Sequence, residues 1–289
     1  MGHSSLSRKF CPVSWRTAIA GLCLPLALAM PALARDGATE VDVELVLAVD
    51  ISYSMDRFEQ QLQRDGYVKA LTSPEFLNAL KSSATGKIAV AYMQWASYPD
   101  QDLLLNWTII DGPDSAQAVA DKLAQAPYRR AQRTSISGAI DAGAKLFENN
   151  GLKGLRQVID VSGDGPNNNG RIVTHARDEA LEKGITINGL PLVGIREWFS
   201  PADIKELDIY YEDCVIGGPE AFSITVRDTR SFVDATRNKL VREIAALPPP
   251  RIGTQHASGK IPRGRVVQTK EPRISCTIGE SLWRGRWGN

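Results

Sequence analysis

The sequence predicts an α/β fold: a doubly wound, mostly parallel central sheet with helices on both faces and one antiparallel edge strand. Residues 43–49 (VELVLAV) form a continuous apolar run, which is typical of a strand that is buried on both faces. Similar runs alternate with segments of helical apolar spacing throughout residues 40–247. Strands that alternate with helices in this way favour a mostly parallel sheet covered on both sides.

Each element follows from a local pattern. Only a short Pro-Asp turn separates the second and third strands, which favours an antiparallel pair. Prolines begin two of the helices, and Gly151 follows another. The predicted strands are 43–49, 87–97, 103–110, 156–163, 185–194 and 221–226. The predicted helices are 55–71, 74–80, 114–126, 135–148, 171–184, 201–214 and 229–247.

The first 34 residues have the pattern of a signal peptide. Arg8, Lys9 and Arg16 precede an apolar run over 18–30 that is too short to span a bilayer comfortably, and small residues precede a cleavage point near Ala34. The alternative is an uncleaved N-terminal anchor. No later stretch approaches the roughly 20 apolar residues of a membrane span. We therefore expect a periplasmic or secreted protein with no transmembrane segment.

Charge divides the remaining chain into an acidic body and a basic tail. Residues 35–247 contain 23 basic and 31 acidic residues, a net charge of −8, whereas residues 248–289 contain 8 and 2, a net charge of +6. An acidic body argues against nucleic acid as a partner. The tail is rich in Gly and Pro without apolar periodicity, which predicts a largely disordered segment that could touch an anionic envelope surface. A tail that is merely solvated is the alternative.

Two cysteines remain after the signal peptide, Cys214 and Cys276. In an oxidising compartment they can form a disulfide that links the tail to the body. The alternative, a buried free Cys214 and a mobile Cys276, is equally compatible with the sequence.

Oxygen-bearing side chains follow the first strand, where Asp50, Ser52 and Ser54 form a D-x-S-x-S pattern. Ligands of open α/β sheets bind beyond the carboxyl ends of the strands. A carboxylate and two hydroxyls are hard ligands suited to Mg²⁺, Mn²⁺ or Ca²⁺. Two further donors are predicted at the same edge, Thr134 before a helix and Asp164 just after a strand. The alternative for the serines is that they cap the helix that begins near Met55.

This three-part pattern resembles von Willebrand factor type A domains, which carry a metal-ion-dependent adhesion site (MIDAS). The resemblance covers about 40–247, and the phrases VIDVSGDGPNN and YYEDCVIGGPEAF resemble an exported bacterial subgroup of unassigned function. It implies a Rossmann-like sheet, binding rather than catalysis, and one divalent cation, with Mg²⁺ as first choice and Mn²⁺ or Ca²⁺ as alternatives. The residues implied to hold the ion, directly or through water, are Asp50, Ser52, Ser54, Thr134 and Asp164.

The expected function is therefore an exported adhesion or envelope-assembly module that captures an Asp or Glu carboxylate of a protein partner at the metal. One alternative is a metal-dependent hydrolase or phosphotransferase. Only three histidines occur, of which His3 lies in the signal peptide, His256 in the tail and His175 within a helical pattern. Ser-His-Asp order, a Gly-rich phosphate loop and H-E-x-x-H are all absent from the sequence. A second alternative is an envelope structural protein whose basic tail binds polymer.

Overall fold

Five strands form a single sheet in the computed structural model, which describes residues 37–194, 204–245 and 272–287. The predicted signal peptide 1–34 lies outside the described residues. Four strands run parallel, and the edge strand β3 pairs antiparallel with β2, in the order β3-β2-β1-β4-β5. The predicted sheet is confirmed. The strands are β1 (Thr39–Asp50), β2 (Ile88–Trp95), β3 (Gln101–Ile110), β4 (Leu152–Gly163) and β5 (Thr186–Pro191).

The helices lie in two layers, one on each face of the sheet. Helix α6 passes directly into a π-helical turn at Tyr211–Val215. The helices are α1 (Arg57–Leu71), α2 (Pro74–Ser82), α3 (Pro113–Ala124), α4 (Ile136–Leu146), α5 (Val173–Glu182), α6 (Leu207–Tyr210), α7 (Phe232–Ala245) and α8 (Ile278–Trp287). None of the helices among the described residues combines the length and apolar character that crossing a bilayer requires.

Alternation along β1 explains the two layers. Leu45 and Leu47 pack in the core with residues of α1, α2, α3 and α7, whereas Val46 and Ala48 pack with residues of α4, α5 and α6. Successive side chains of a strand point to opposite faces, so a continuous apolar run serves both cores. Because β1 and β4 are parallel neighbours, the carboxyl ends of the two strands lie side by side at the same end of the sheet.

The last predicted strand, 221–226, is present only as an incomplete ladder. Isolated parallel bridges join Ser223 to Gly189 and Val226 to Leu192, beside β5. The helix predicted from Pro201 begins at Leu207 among the described residues, and Pro201 itself lies outside them.

The prediction of a largely disordered tail is wrong for residues 278–287, which form α8. A disulfide joins Cys276 to Cys214 in the π-helical turn, which decides between the two alternatives for these cysteines. Arg273 adds ion pairs to Glu212 and Asp213 of the same turn. These long-range links fix a segment whose composition alone does not predict order. The rest of the tail up to residue 271 lies outside the described residues.

Candidate metal centre

A continuous chain of polar contacts joins four of the five predicted site residues at the carboxyl ends of β1 and β4. The N–H of Ser52 donates to Asp50 Oδ1 at 2.6 Å. The hydroxyl oxygens of Ser52 and Ser54 lie 2.7 Å apart, and Ser54 Oγ donates to Asp164 Oδ1 at 2.7 Å. Asp50, Ser52 and Asp164 are buried. Side chains that are 110 residues apart in the sequence thus meet because their strands are neighbours.

The two serines do not cap helix α1, so that alternative is wrong. Asp56 is the cap residue: its Oδ1 accepts the N–H of Glu59 at 2.8 Å, and Glu59 Oε2 accepts the N–H of Asp56 at 2.8 Å. This reciprocal arrangement satisfies the first turn of α1 locally. The hydroxyls of Ser52 and Ser54 are therefore available to the site.

Thr134 lies beside the segment that carries Asp164. Its N–H donates to Asn168 Oδ1 at 3.0 Å, and its carbonyl oxygen accepts the N–H of Asn168 at 2.8 Å. A Cβ placed on Gly165 would lie 4.0 Å from Thr134 Oγ1, so this hydroxyl faces the segment after Asp164. The preceding residue, Arg133, has a φ of 73°, a left-handed conformation that turns the chain into α4.

The three asparagines after Asp164 hold the neighbouring loops together, a role that the sequence reasoning missed. Asn167 is fully buried, and its Oδ1 accepts the N–H of Ser137 at 2.9 Å. Asn169 Oδ1 accepts the N–H of Tyr98 at 2.8 Å. Asn168 bonds the backbone N–H and carbonyl of Thr134. Three consecutive side-chain amides directly after a buried strand were the available signal, because each can both donate and accept.

The carboxylate of Asp50 has one oxygen that the protein leaves unsatisfied. Among the described residues, the buried Asp50 Oδ2 has no hydrogen-bond partner. Burial raises the pKa of Asp50 well above its usual range, and the neighbouring Asp164 carboxylate raises it further, whereas hydrogen bonds from Ser52 and from the Asp164 backbone oppose the shift. Two buried carboxylates side by side favour a compensating positive charge.

The donor set fits a hard divalent cation. It comprises two carboxylates and three neutral hydroxyls, the oxygen ligands that Mg²⁺, Mn²⁺ and Ca²⁺ take. Within the described part of the chain, no group of three or more His, Cys, Asp or Glu side chains could hold a metal. An ion at this cluster would therefore depend on Ser52, Ser54 and Thr134 as well as on the carboxylates.

The sequence itself matches a family over most of the folded body. Residues 40–248 match the family described as "Protein of unknown function (DUF1194)". The chain belongs to this family. No curated protein is significantly similar to this DUF1194 member in sequence.

Solved structures are similar to the chain at the level of fold. The pilus adhesin SpaC from Lactobacillus rhamnosus GG is 12% identical, with 71% of this chain and 31% of SpaC covered and a TM-score of 0.54. Proximal thread matrix protein 1 (PTMP1) from the mussel byssus is 12% identical over 72% of this chain and 49% of PTMP1, with a TM-score of 0.51. A second PTMP1 structure, described as having a "zinc occupied MIDAS motif", has a TM-score of 0.50 at 12% identity, with 72% of this chain and 48% of PTMP1 covered.

The chain thus spans about half of PTMP1 and about a third of SpaC. At these identities the likeness shows the fold alone. The predicted resemblance to von Willebrand A-type domains is confirmed at that level.

Proposed function

We propose that the protein is an exported protein-binding module that uses a divalent cation to capture an acidic group of its partner. The observation that carries the proposal is the buried Asp50, whose free Oδ2 lies in the same cluster as the chain of contacts through Ser52, Ser54 and Asp164. The two neighbouring buried carboxylates of this cluster favour a cation, and the serine hydroxyls beside them are hard oxygen donors that could bind it. It is also located where α/β sheets bind their ligands.

In this proposal Asp50, Ser52, Ser54, Thr134 and Asp164 hold the ion directly or through water. Mg²⁺ is the first choice, and Mn²⁺ or Ca²⁺ are the alternatives. Because hydroxyls are neutral, this donor set leaves more of the ion's charge uncompensated than an all-carboxylate site would. When bound, the ion supplies an electrophilic centre that attracts an Asp or Glu carboxylate of a protein partner. The protein's own residues orient the ion and hold the surrounding loops in place.

Export is supported by the disulfide between Cys214 and Cys276, since such bonds persist mainly in oxidising compartments. The proposal includes cleavage of the signal peptide near Ala34 and a periplasmic or secreted product. It also includes contact of the basic tail with an anionic envelope surface. The acidic body favours a protein partner over nucleic acid.

Binding is favoured over catalysis. His175, the one histidine among the described residues, is exposed on α5, whereas the cluster lies at the ends of β1 and β4. SpaC, a protein of similar fold, is described as a pilus adhesin. A hydrolase would need a nucleophile or general base beside the metal.

The test is calorimetric titration of the mature protein, residues 35–289, with Mg²⁺ and Mn²⁺. We expect binding of one ion, and we expect Ser52→Ala/Ser54→Ala to abolish it at millimolar concentration while the protein remains folded. Ser82→Ala is the matched control, because Ser82 is exposed at the end of α2. Equal binding by the double variant and the wild type would show that the ion lies elsewhere.

Partner capture is tested with the same three proteins immobilised and exposed to envelope extract. We expect proteins to be retained in Mg²⁺ by the wild type and the control, and released by a chelator. Retention that survives chelation but not high salt would instead support association through the basic tail. Turnover of a substrate that requires Ser52 and Ser54 would support the enzyme alternative.

A further inference from the structure

Helix α8 packs against both loops that complete the metal centre, although it lies beyond the family match, which ends at residue 248. One loop, 164–170, follows β4 and begins with Asp164. The other, 131–135, leads into α4 and contains Thr134.

The contact with the first loop is direct and leaves no space. A Cβ on Gly279 would lie 2.0 Å from the carbonyl oxygen of Asn167, so only glycine allows α8 to approach this closely. The next residue, Glu280, accepts a hydrogen bond from Asn167 Nδ2 to Oε1 at 2.7 Å. Asn167 uses its other side-chain atom, Oδ1, to bind the N–H of Ser137 in α4. Glu280 therefore helps to orient an amide that joins the first loop to the first turn of α4.

The contact with the second loop is a cation–π interaction. The guanidinium carbon of Arg133 lies 3.5 Å from the ring centroid of Trp283. Arg133 is the left-handed residue immediately before Thr134. An aromatic ring at this distance attracts the guanidinium and stabilises the arginine in its observed position. Trp283 thus supports the turn that presents the Thr134 hydroxyl.

The opposite end of the segment is tied to the π-helical turn. Besides the disulfide from Cys276 to Cys214, the N–H of Arg273 donates to Asp213 Oδ2 at 2.6 Å, and its Nη2 lies 2.8 Å from Asp213 Oδ1. The same turn contains Tyr211, whose buried hydroxyl lies 3.0 Å from where a Cβ on Gly163 would be. The tether and the metal centre are therefore joined through a few packed residues.

We propose that α8 is a positioning element of the metal centre, held in place by the Cys214–Cys276 disulfide, and that opening this disulfide weakens cation binding without unfolding the sheet. The inference rests on the proposed function, because it assumes a cation at the cluster. Glu280 and Trp283 act through Asn167 and Arg133, so they are positioning residues and not ligands.

The first test compares Glu280→Ala with Glu280→Gln. Alanine removes the shorter of the two hydrogen bonds that Asn167 Nδ2 donates and leaves the one to the carbonyl oxygen of Arg171 at 3.1 Å. We expect roughly tenfold weaker Mn²⁺ binding, the usual effect of losing a partner that orients a ligand loop. Glutamine keeps an acceptor oxygen, and we expect its Mn²⁺ affinity to stay within about twofold of the wild type. Ser281→Ala is the control on α8, since among the described residues the Ser281 hydroxyl bonds only the carbonyl of Thr277, the residue just before the helix. Equal Mn²⁺ affinity of the alanine and glutamine variants would overturn the role of Glu280.

The second test opens the tether with Cys214→Ala/Cys276→Ala. Hydrogen exchange of the cation-free protein should show faster exchange in residues 131–137 and 164–170, whereas the exchange of β1 and β4 stays slow. Mn²⁺ affinity should fall by roughly tenfold or more. Unchanged exchange and unchanged affinity would overturn the inference.

The two proposals fail in distinguishable ways. If the wild-type protein binds no Mn²⁺, the proposed function fails, and the cation part of this inference fails with it. If Mn²⁺ binds equally well with and without the disulfide and with alanine at position 280, only the role of α8 fails.

Discussion

At the residue scale, the candidate metal centre is closely packed at Gly163, the last residue of β4. A Cβ there would lie 2.9 Å from Asp50 Oδ2 and 3.0 Å from the hydroxyl of Tyr211. Both of these buried atoms have no hydrogen-bond partner among the described residues. A side chain at this position would therefore have to displace either the carboxylate or the phenol.

We predict that Gly163→Ala weakens Mn²⁺ binding by roughly tenfold or more and lowers the free energy of unfolding by roughly 1–3 kcal/mol, because it overpacks the base of the site. Gly165→Ala is the matched control, since the nearest atom to its Cβ is Thr134 Oγ1 at 4.0 Å, an ordinary contact. Titration calorimetry and urea denaturation measure the two quantities. If both variants bind Mn²⁺ alike, close packing at Gly163 has no part in the site.

Much of the site could be predicted at this scale, because its chemistry is local. The D-x-S-x-S pattern directly follows an apolar run, so Asp50, Ser52 and Ser54 were predicted from spacing alone. The predicted fold also placed Thr134 and Asp164 at the same edge. Asp164 contacts Ser54 there, Thr134 lies beside the loop that follows Asp164, and a shared ion among all five residues stays a prediction. The role of Gly163 could not be predicted, and the run of three asparagines was the one signal for the role of Asn167, because both roles arise from close contacts between segments that are far apart in the sequence.

At the element scale, helix α7 is joined to the sheet by a buried network of charges. Lys239 Nζ lies 3.1 Å from Asp160 Oδ1 of β4 and 3.3 Å from Glu243 Oε1, and all three residues are fully buried. Asn188 of β5 donates its Nδ2 to Glu243 Oε1 at 2.7 Å. Burial raises the pKa of Asp160 to about 6; Lys239 opposes the shift, and Glu243 adds to it. Two carboxylates thus share one ammonium group.

This pKa predicts a pH dependence of stability. Because the folded value of about 6 exceeds the ordinary value of 3.8, the folded state binds this proton more tightly than the unfolded state. Asp160 therefore stabilises the fold below about pH 4, and this contribution is lost as the pH rises through 6. The unfolding free energy of the wild type, minus that of Asp160→Asn, should fall by roughly 2–3 kcal/mol between pH 4 and pH 7.

Urea denaturation of both proteins at pH 4, 5, 6 and 7 measures this difference, and titrating groups that do not interact with Asp160 cancel in the subtraction. A difference that stays constant or grows with pH would contradict the raised pKa of Asp160.

Secondary structure was predictable where the apolar pattern is strong, as in the continuous apolar run of β1 and the helical spacing of α7. It was not predictable in α8, whose position depends on the distant Cys214 and on Asn167. The segment 221–226 was predicted as a full strand because its apolar alternation is clear. In the structure it forms only isolated bridges to β5, since register and hydrogen bonding along an edge are decided by tertiary packing.

At the scale of the whole molecule, the disulfide links the folded body to the C-terminal segment across 62 residues of sequence. A cross-link of this span restricts the unfolded chain much more than the folded one. It joins two parts of opposite net charge, the acidic body and the basic tail. Loss of the bond therefore affects the stability of the body as well as the order of the tail.

We predict that Cys214→Ala/Cys276→Ala lowers the free energy of unfolding by roughly 4 kcal/mol, the loop-entropy value for a closed loop of this size. Urea denaturation of the wild type, with and without a reductant, provides the matched comparison. An unchanged midpoint in both the variant and the reduced protein would show that the bond does not stabilise the fold.

The central claim, that one hard cation binds among five oxygen-bearing side chains, is tested most directly by a crystal structure of the mature protein grown with millimolar Mn²⁺ and recorded near the manganese absorption edge. The prediction is one anomalous peak bounded by Asp50, Ser52, Ser54, Thr134 and Asp164, and its loss in Ser52→Ala/Ser54→Ala. A well-ordered wild-type protein with no peak at these residues, or with its manganese bound elsewhere, would contradict the claim.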